Sequence, residues 1–200
     1  MTMTLALLYA GSFLLGSIPT AYLVAKTTKG IDIRQHGSGN VGATNALRVL
    51  GKKWALAVFA VDFLKGVVPV CVAFAVLGGR DTGVDLLALG AGIAAVVGHI
   101  YTPFLGFKGG KGIATGAGAL CAAYPPLFGV SLVLFGVVFY FSRIVSLSAL
   151  VAVGVVVPAS WARFRDGRLT LLFLLIFLFL CWTHRQNIGR LLRGEEKPIA

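Results

Sequence analysis

Acidic residues are scarce in this sequence: Asp and Glu number 7 of 200, against 18 Lys and Arg. A hard-cation site needs clustered carboxylates. The polar stretches offer only Asp32, Glu195 and Glu196, so no metal and no cofactor is expected. Cysteine is rarer still. Cys71, Cys121 and Cys181 each lie inside an apolar run without pairing or ligand spacing, which excludes a disulfide scaffold and predicts small core residues. Charged residues of both signs make up only 12% of the chain, and 58% of it is hydrophobic, outside the range of ordinary soluble domains. The net charge of +11 has no soluble domain to present it to nucleic acid. Its expected partners are anionic lipid headgroups and a phosphorylated substrate.

The chain consists mainly of long apolar runs: Leu5 to Ala25, Trp54 to Leu77, Val84 to Val97, Ile113 to Phe141, Val145 to Ala162 and Leu169 to Trp182. They predict an all-α integral membrane protein, a single polytopic domain over 1–200. No basic residue precedes the first run, so it is expected to stay in the mature protein rather than be cleaved as a signal. The run Ile113 to Phe141 is too long for one span and is broken at Tyr124-Pro125-Pro126, giving either one kinked helix or a hairpin of two shorter spans. With a hairpin there are seven spans. Thirteen loop and tail cations, from Lys26 and Lys29 through Arg143 to Lys197, then share one side, and only Arg80, Arg163, Arg165 and Arg168 lie opposite. The alternative divides them 11 to 6. Cytoplasmic loops carry the positive excess, so the expectation is seven spans, N-terminus outside and C-terminus cytoplasmic. Asp62 and Lys65, three apart within the second span, are expected to form a structural ion pair facing the bundle interior.

Four polar stretches then fall on the cytoplasmic side, at 36–48, 98–115, 142–148 and 184–196. In the first, Gly37, Gly39 and Gly42 let the backbone turn sharply and bring N–H groups near a ligand. Ser38, Asn40, Thr44 and Asn45 add neutral hydrogen-bonding groups and Arg48 a planar fork for phosphate. The stretch predicts an anion cradle. Although Gly37-x-Gly39-x-x-Gly42 matches a dinucleotide fingerprint, a membrane span precedes it instead of a strand. In the second stretch Gly109, Gly110 and Gly112 accompany Lys108 and Lys111 at the expected start of a helix, again suited to phosphate. The spacing is one residue short of a Walker A loop, and no Ser or Thr follows Lys111. In the third, Ser146 serves either as a helix cap or as a ligand contact. In the fourth, His184 and Asn187 lie three apart at the head of a basic amphipathic tail.

The segments GSGNVGATNALR, GHIYTPFLGFKGGKGIATGAG and HRQNIGRLLRGEE resemble, in order, the three motifs of the PlsY family, bacterial membrane acyl-phosphate:glycerol-3-phosphate acyltransferases. The resemblance covers essentially the whole chain. It implies seven spans, a cytoplasmic-face active site in the inner membrane, and transfer of an acyl chain from acyl phosphate to sn-glycerol 3-phosphate. The products are lysophosphatidic acid and phosphate. By motif, it carries over Ser38, Arg48, Lys108, Lys111, His184 and Asn187 as catalytic. His99, Thr115 and Ser146 carry over as substrate-binding, beside Gly37, Gly39, Asn40, Gly42, Thr44, Asn45, Gly109, Gly110 and Gly112. The bilayer and the enzyme supplying acyl phosphate are the further expected partners.

The residues are compatible with that chemistry. An acyl phosphate is a mixed anhydride with a good leaving group, so no protein nucleophile is required, and none of His36, His99 or His184 begins a His-x4-Asp pattern. Positioning and charge stabilisation of two phosphate-bearing substrates remain. A transporter for a phosphorylated solute is the rival reading; the gathering of polar motifs on one face and the lack of an evident inverted repeat weigh against it.

Overall fold

The computed structural model describes residues 1–79 and 82–199, without the side chains at 82–84. Arg80, one of the four cations expected opposite the motifs, lies outside the described residues. Contacts divide the chain into two compact units, Met1–Ala123 and Tyr124–Ala200.

The first unit contains α1 (Thr2–Ser17), α2 (Thr20–Lys29), α3 (Ala43–Leu50), α4 (Lys52–Leu77), α5 (Thr82–Ile100) and α6 (Ile113–Ala123). The first apolar run is not one continuous helix. Pro19 has no N–H and drives Ile18 to an extended ψ of 116°, after which Thr20 N donates to Ile18 O at 3.0 Å and α2 starts. Small residues bring the helix backbones together. A Cβ on Gly16 would lie 2.0 Å from Ala95 O of α5, and one on Gly66 would lie 1.9 Å from Thr115 O of α6. Beneath the first polar stretch, Ile33, Val41, Ala46 and Leu50 are buried with Ala21 and Ala25 of α2 and Val58 of α4. This cluster seats the loop and α3 on the spans.

The second unit contains α7 (Pro125–Ser142), α8 (Val145–Gly154), α9 (Val156–Phe164), α10 (Gly167–Thr183) and α11 (Arg185–Leu192). Pro125 and Pro126 occupy the first turn of α7, where missing N–H groups cost nothing. Tyr124 packs edge-on against Phe164 and Phe173 at 5.4 and 5.8 Å between centroids. Asp166 caps α10, accepting from Arg168 N and Leu169 N. Leu127 is the one buried residue of α7, and Leu132, Val133, Val137 and Phe141 are exposed, as on a lipid-facing helix.

Among the described residues five helical stretches are long and apolar enough to cross a membrane. A sixth follows if α10 and α11, bent by 70°, count together. The chain is an integral membrane protein. The break at Tyr124 separates α6 from α7, and α6, with 11 residues, is about 16 Å long, short of a hydrocarbon core of about 30 Å. The cysteines depart from expectation: Cys71 is exposed and Cys121 and Cys181 are half-buried, so they lie on the surfaces of apolar helices and not in the core.

Candidate active site

The first polar stretch is built around Asn45. Its side chain is buried, and Nδ2 donates to the carbonyls of Ile33, His36 and Asn40 at 3.3, 3.0 and 3.0 Å, while Oδ1 accepts from Ser38 N at 2.8 Å. Two N–H groups shared among three carbonyls leave none for a substrate. Asn45 is therefore a clamp on the loop, a correction to its expected place among the substrate donors. The clamp requires glycine at 37, which has φ of 61° and where a Cβ would meet Asn45 Oδ1 at 2.2 Å. Ser38 is exposed and its hydroxyl makes no hydrogen bond among the described residues. Asn40 and Thr44 are half-buried, Gly39 donates its N–H to His36 O, and Gly42 precedes α3, whose last turn carries an exposed Arg48. Before the loop, the Arg34 guanidinium holds the Asp32 carboxyl down at about 2 through paired hydrogen bonds.

The second stretch folds back onto the helix that delivers it. Gly109 N donates to Ile100 O at 2.9 Å and Gly110 N to His99 O at 3.0 Å. Those two N–H groups, expected to face an anion, instead fix the loop to the end of α5. Lys108 is exposed, Lys111 is half-buried, and Gly112, at φ 85°, turns the chain into α6. The His99 ring lies against Gly110, where an added Cβ would stand 2.1 Å from Nε2. Thr115 is fully buried in the first turn of α6, and its hydroxyl has no hydrogen-bond partner among the described residues. Thr115 thus takes an interior position in the first unit.

Behind this stretch is the ion pair read from the sequence. Lys65 Nζ lies 2.7 Å from Asp62 Oδ1, with the side chains 3% and 2% exposed. Thr20 Oγ1 donates to the same Asp62 oxygen at 2.8 Å.

In the second unit, Glu196 gathers three groups. Ser146 Oγ and Asn187 Nδ2 donate to Oε1 at 2.8 and 2.5 Å, and Arg190 Nε donates to Oε2 at 2.5 Å. Burial pushes the Glu196 carboxyl up, but those hydrogen bonds and the Arg190 charge outweigh it and hold it below its ordinary value. Ser146 is thus not a helix cap, since Ile144 holds that position in α8. His184 is buried at the α10–α11 junction with Nδ1 2.9 Å from Leu180 O, an arrangement suited to the Nδ1–H tautomer. Sequence reasoning did not single out Glu196. The only signal was two adjacent glutamates at the end of a basic stretch, and Glu195 turns outward to Arg193.

Comparison with known proteins agrees with this architecture. The family model described as glycerol-3-phosphate acyltransferase matches residues 6–194. A glycerol-3-phosphate acyltransferase of Gloeobacter violaceus is 41% identical over 96% of this chain and 93% of its own length. The solved structure of PlsY, an integral membrane glycerol 3-phosphate acyltransferase, in its glycerol 3-phosphate form, superposes with a TM-score of 0.89 at 37% identity. It covers 98% of this chain and 96% of that one. The lysophosphatidic acid form gives 0.86 at 36%, with the same coverage. The fold and its polar stretches are those of a membrane-embedded acyltransferase. The chain belongs to the glycerol-3-phosphate acyltransferase family represented by PlsY.

Proposed function

We propose that this protein transfers a fatty acyl group from acyl phosphate to sn-glycerol 3-phosphate, giving lysophosphatidic acid and inorganic phosphate, the first step of phospholipid synthesis. The observation that carries this reading is the match to the family along nearly the full chain, joined to two basic glycine-containing stretches suited to phosphate. The substrate hydroxyl attacks the acyl carbonyl, the new ester C–O bond forms, and the bond from the acyl carbon to the bridging oxygen of the phosphate breaks. Phosphate leaves with the electron pair. The hydroxyl proton passes to a phosphate oxygen of the bound substrate.

Roles follow the motifs. Arg48, Lys108 and Lys111 hold phosphate charge, Ser38 donates to the reacting group, and His184 and Asn187 orient substrate. Gly37, Gly39, Asn40, Gly42, Thr44, His99, Gly109, Gly110, Gly112, Thr115 and Ser146 shape the binding surfaces. Asn45 and Glu196 support them by holding the first loop and the tail. No cofactor is needed, because the anhydride already carries the activation. The seven-span arrangement in a bacterial inner membrane puts all four polar stretches on the cytoplasmic side, where the water-soluble acceptor is available. The donor's chain remains in the bilayer, and the enzyme making acyl phosphate is the natural partner.

The test is direct: purified protein, acyl phosphate and labelled glycerol 3-phosphate should yield labelled lysophosphatidic acid. Comparable turnover with acyl-CoA would overturn the donor assignment, and no lysophosphatidic acid from any donor would overturn the reaction.

A further inference from the structure

The buried pair Asp62 and Lys65 does more than neutralise itself. Lys65 Nζ has three N–H donors, and the structure supplies three acceptors: Asp62 Oδ1, Ile18 O at 2.5 Å, and Thr20 Oγ1. Two of these belong to the break between α1 and α2, where Pro19 interrupts the helical ladder. Thr20 Oγ1 in turn donates to Asp62, so the hydroxyl bridges the cation and the carboxylate. Asp62 Oδ1 also stands 3.8 Å from His99 Nδ1, too far for a hydrogen bond, so the carboxylate is a close neighbour of the ring and not its hydrogen-bond partner. Three residues on, buried Thr102 donates to Ser17 O at 2.6 Å. The segment 99–102 is therefore tied to the broken first span by the Thr102 hydrogen bond and faces, at His99, the α4 carboxylate that Thr20 and Lys65 hold. That segment is also the base onto which Gly109 and Gly110 are hydrogen-bonded, and the His99 ring fills the space beside Gly110.

We infer that Asp62, Lys65 and Thr20 are positioning residues for the loop carrying Lys108 and Lys111. The network ties the Ile18–Pro19 break to His99, and His99 sets where the loop's backbone runs. A buried ion pair is weak evidence for stability, since apolar residues of similar volume often replace one without loss. Here its partners lie at the helix break: Lys65 Nζ donates to Thr20 Oγ1 and to Ile18 O, which already accepts from Thr20 N at 3.0 Å, so what the pair adds is the placement of the break rather than the satisfaction of a lone carbonyl. The inference rests on the reading of Lys108 and Lys111 as the phosphate-holding cations.

The experiment measures glycerol 3-phosphate binding by calorimetry, turnover with acyl phosphate, and the melting temperature, all on the full chain in detergent. The double variant Asp62→Leu/Lys65→Met removes both charges together and leaves neither unpaired. It should melt within a few degrees of wild type, while Kd and KM for glycerol 3-phosphate rise about tenfold or more. Thr20→Val should shift both in the same direction by a smaller factor, and Thr20→Ser, which restores the bridging hydroxyl, should return them to wild type. A folded double variant with wild-type Kd and KM would overturn the inference, as would a fall in melting temperature with affinity untouched. If the double variant does not fold, Thr20→Val with wild-type affinity overturns it alone. Failure of the wild type to make lysophosphatidic acid would strike the functional reading in the unmutated arm, leaving the calorimetric comparison to decide on positioning.

Discussion

Ser38 hangs from Asn45 by its backbone: the Ser38 N–H donates to Asn45 Oδ1 at 2.8 Å, while the Ser38 hydroxyl makes no hydrogen bond among the described residues. One residue shapes the loop and the other is presented by it, so their substitutions should separate. Asn45→Ala leaves a buried set of carbonyls without a donor and should cost about 2 kcal/mol or more of stability. Asn45→Asp keeps the shape but faces three carbonyls with an acceptor, and should be no better. Ser38→Ala should leave the melting temperature unchanged and lower kcat by about 10²–10³-fold, the usual effect of losing one donor to a developing oxyanion. Thermal melts beside steady-state kinetics read out the difference.

Arg48→Ala and Lys111→Ala should each lower kcat/KM by about 10³-fold or more, since each removes a charge assigned to phosphate. Mass spectrometry of wild-type enzyme quenched rapidly after mixing with acyl phosphate alone should show no acyl adduct. A stoichiometric adduct on Ser38 would replace direct transfer with a covalent route.

Glu196 makes the tail sensitive to acid. Because its carboxyl is held below the ordinary value, its stabilising contribution is fully present above the unfolded glutamate pKa of about 4.3 and is lost as pH falls through the lower folded value. Melting temperature should therefore be flat with respect to this group from pH 6 to 8 and fall below about pH 4. Glu196→Gln should remove that acid step. Glu196→Ala should cost about 1–3 kcal/mol at neutral pH by leaving Ser146, Asn187 and Arg190 without their shared acceptor.

Single cysteines placed beside Ser38, Lys108 and Arg143 and in the C-terminal tail, on a background without Cys71, Cys121 and Cys181, should all label from the cytoplasmic side. Labelling of the Arg143 position from outside would end the seven-span arrangement.

Charge and hydropathy carried much of this fold, because lipid solvation imposes long apolar runs and confines charge to loops. The Tyr124-Pro125-Pro126 break and the Asp62–Lys65 pair were legible for that reason: a proline pair cannot continue a helix, and a buried cation must find an anion. What escaped was the direction of polar side chains inside the loops. Nothing in Gly-Asn-Val-Gly-Ala-Thr-Asn tells which asparagine turns inward, and the structure gives that role to Asn45, which closes hydrogen bonds to residues 5, 9 and 12 positions away. Gly109 and Gly110 misled in the same way. Their N–H groups are satisfied by carbonyls of the preceding helix, a pairing that depends on how the chain doubles back. Glu196 and Glu195 are indistinguishable by composition, and only the turn after α11 separates them.

The close approach of Gly66 to Thr115 O, at 1.9 Å from where a methyl carbon would sit, gives the chain an uneven tolerance of mutation. Along α7, where side chains such as Leu132 and Val133 stand exposed, one apolar residue should substitute for another with little consequence. At Gly66 and Gly16 the smallest possible side-chain addition meets a backbone carbonyl that has no rotamer to move. A library of random variants selected for growth should therefore accumulate freely on α7 and leave these two positions blank.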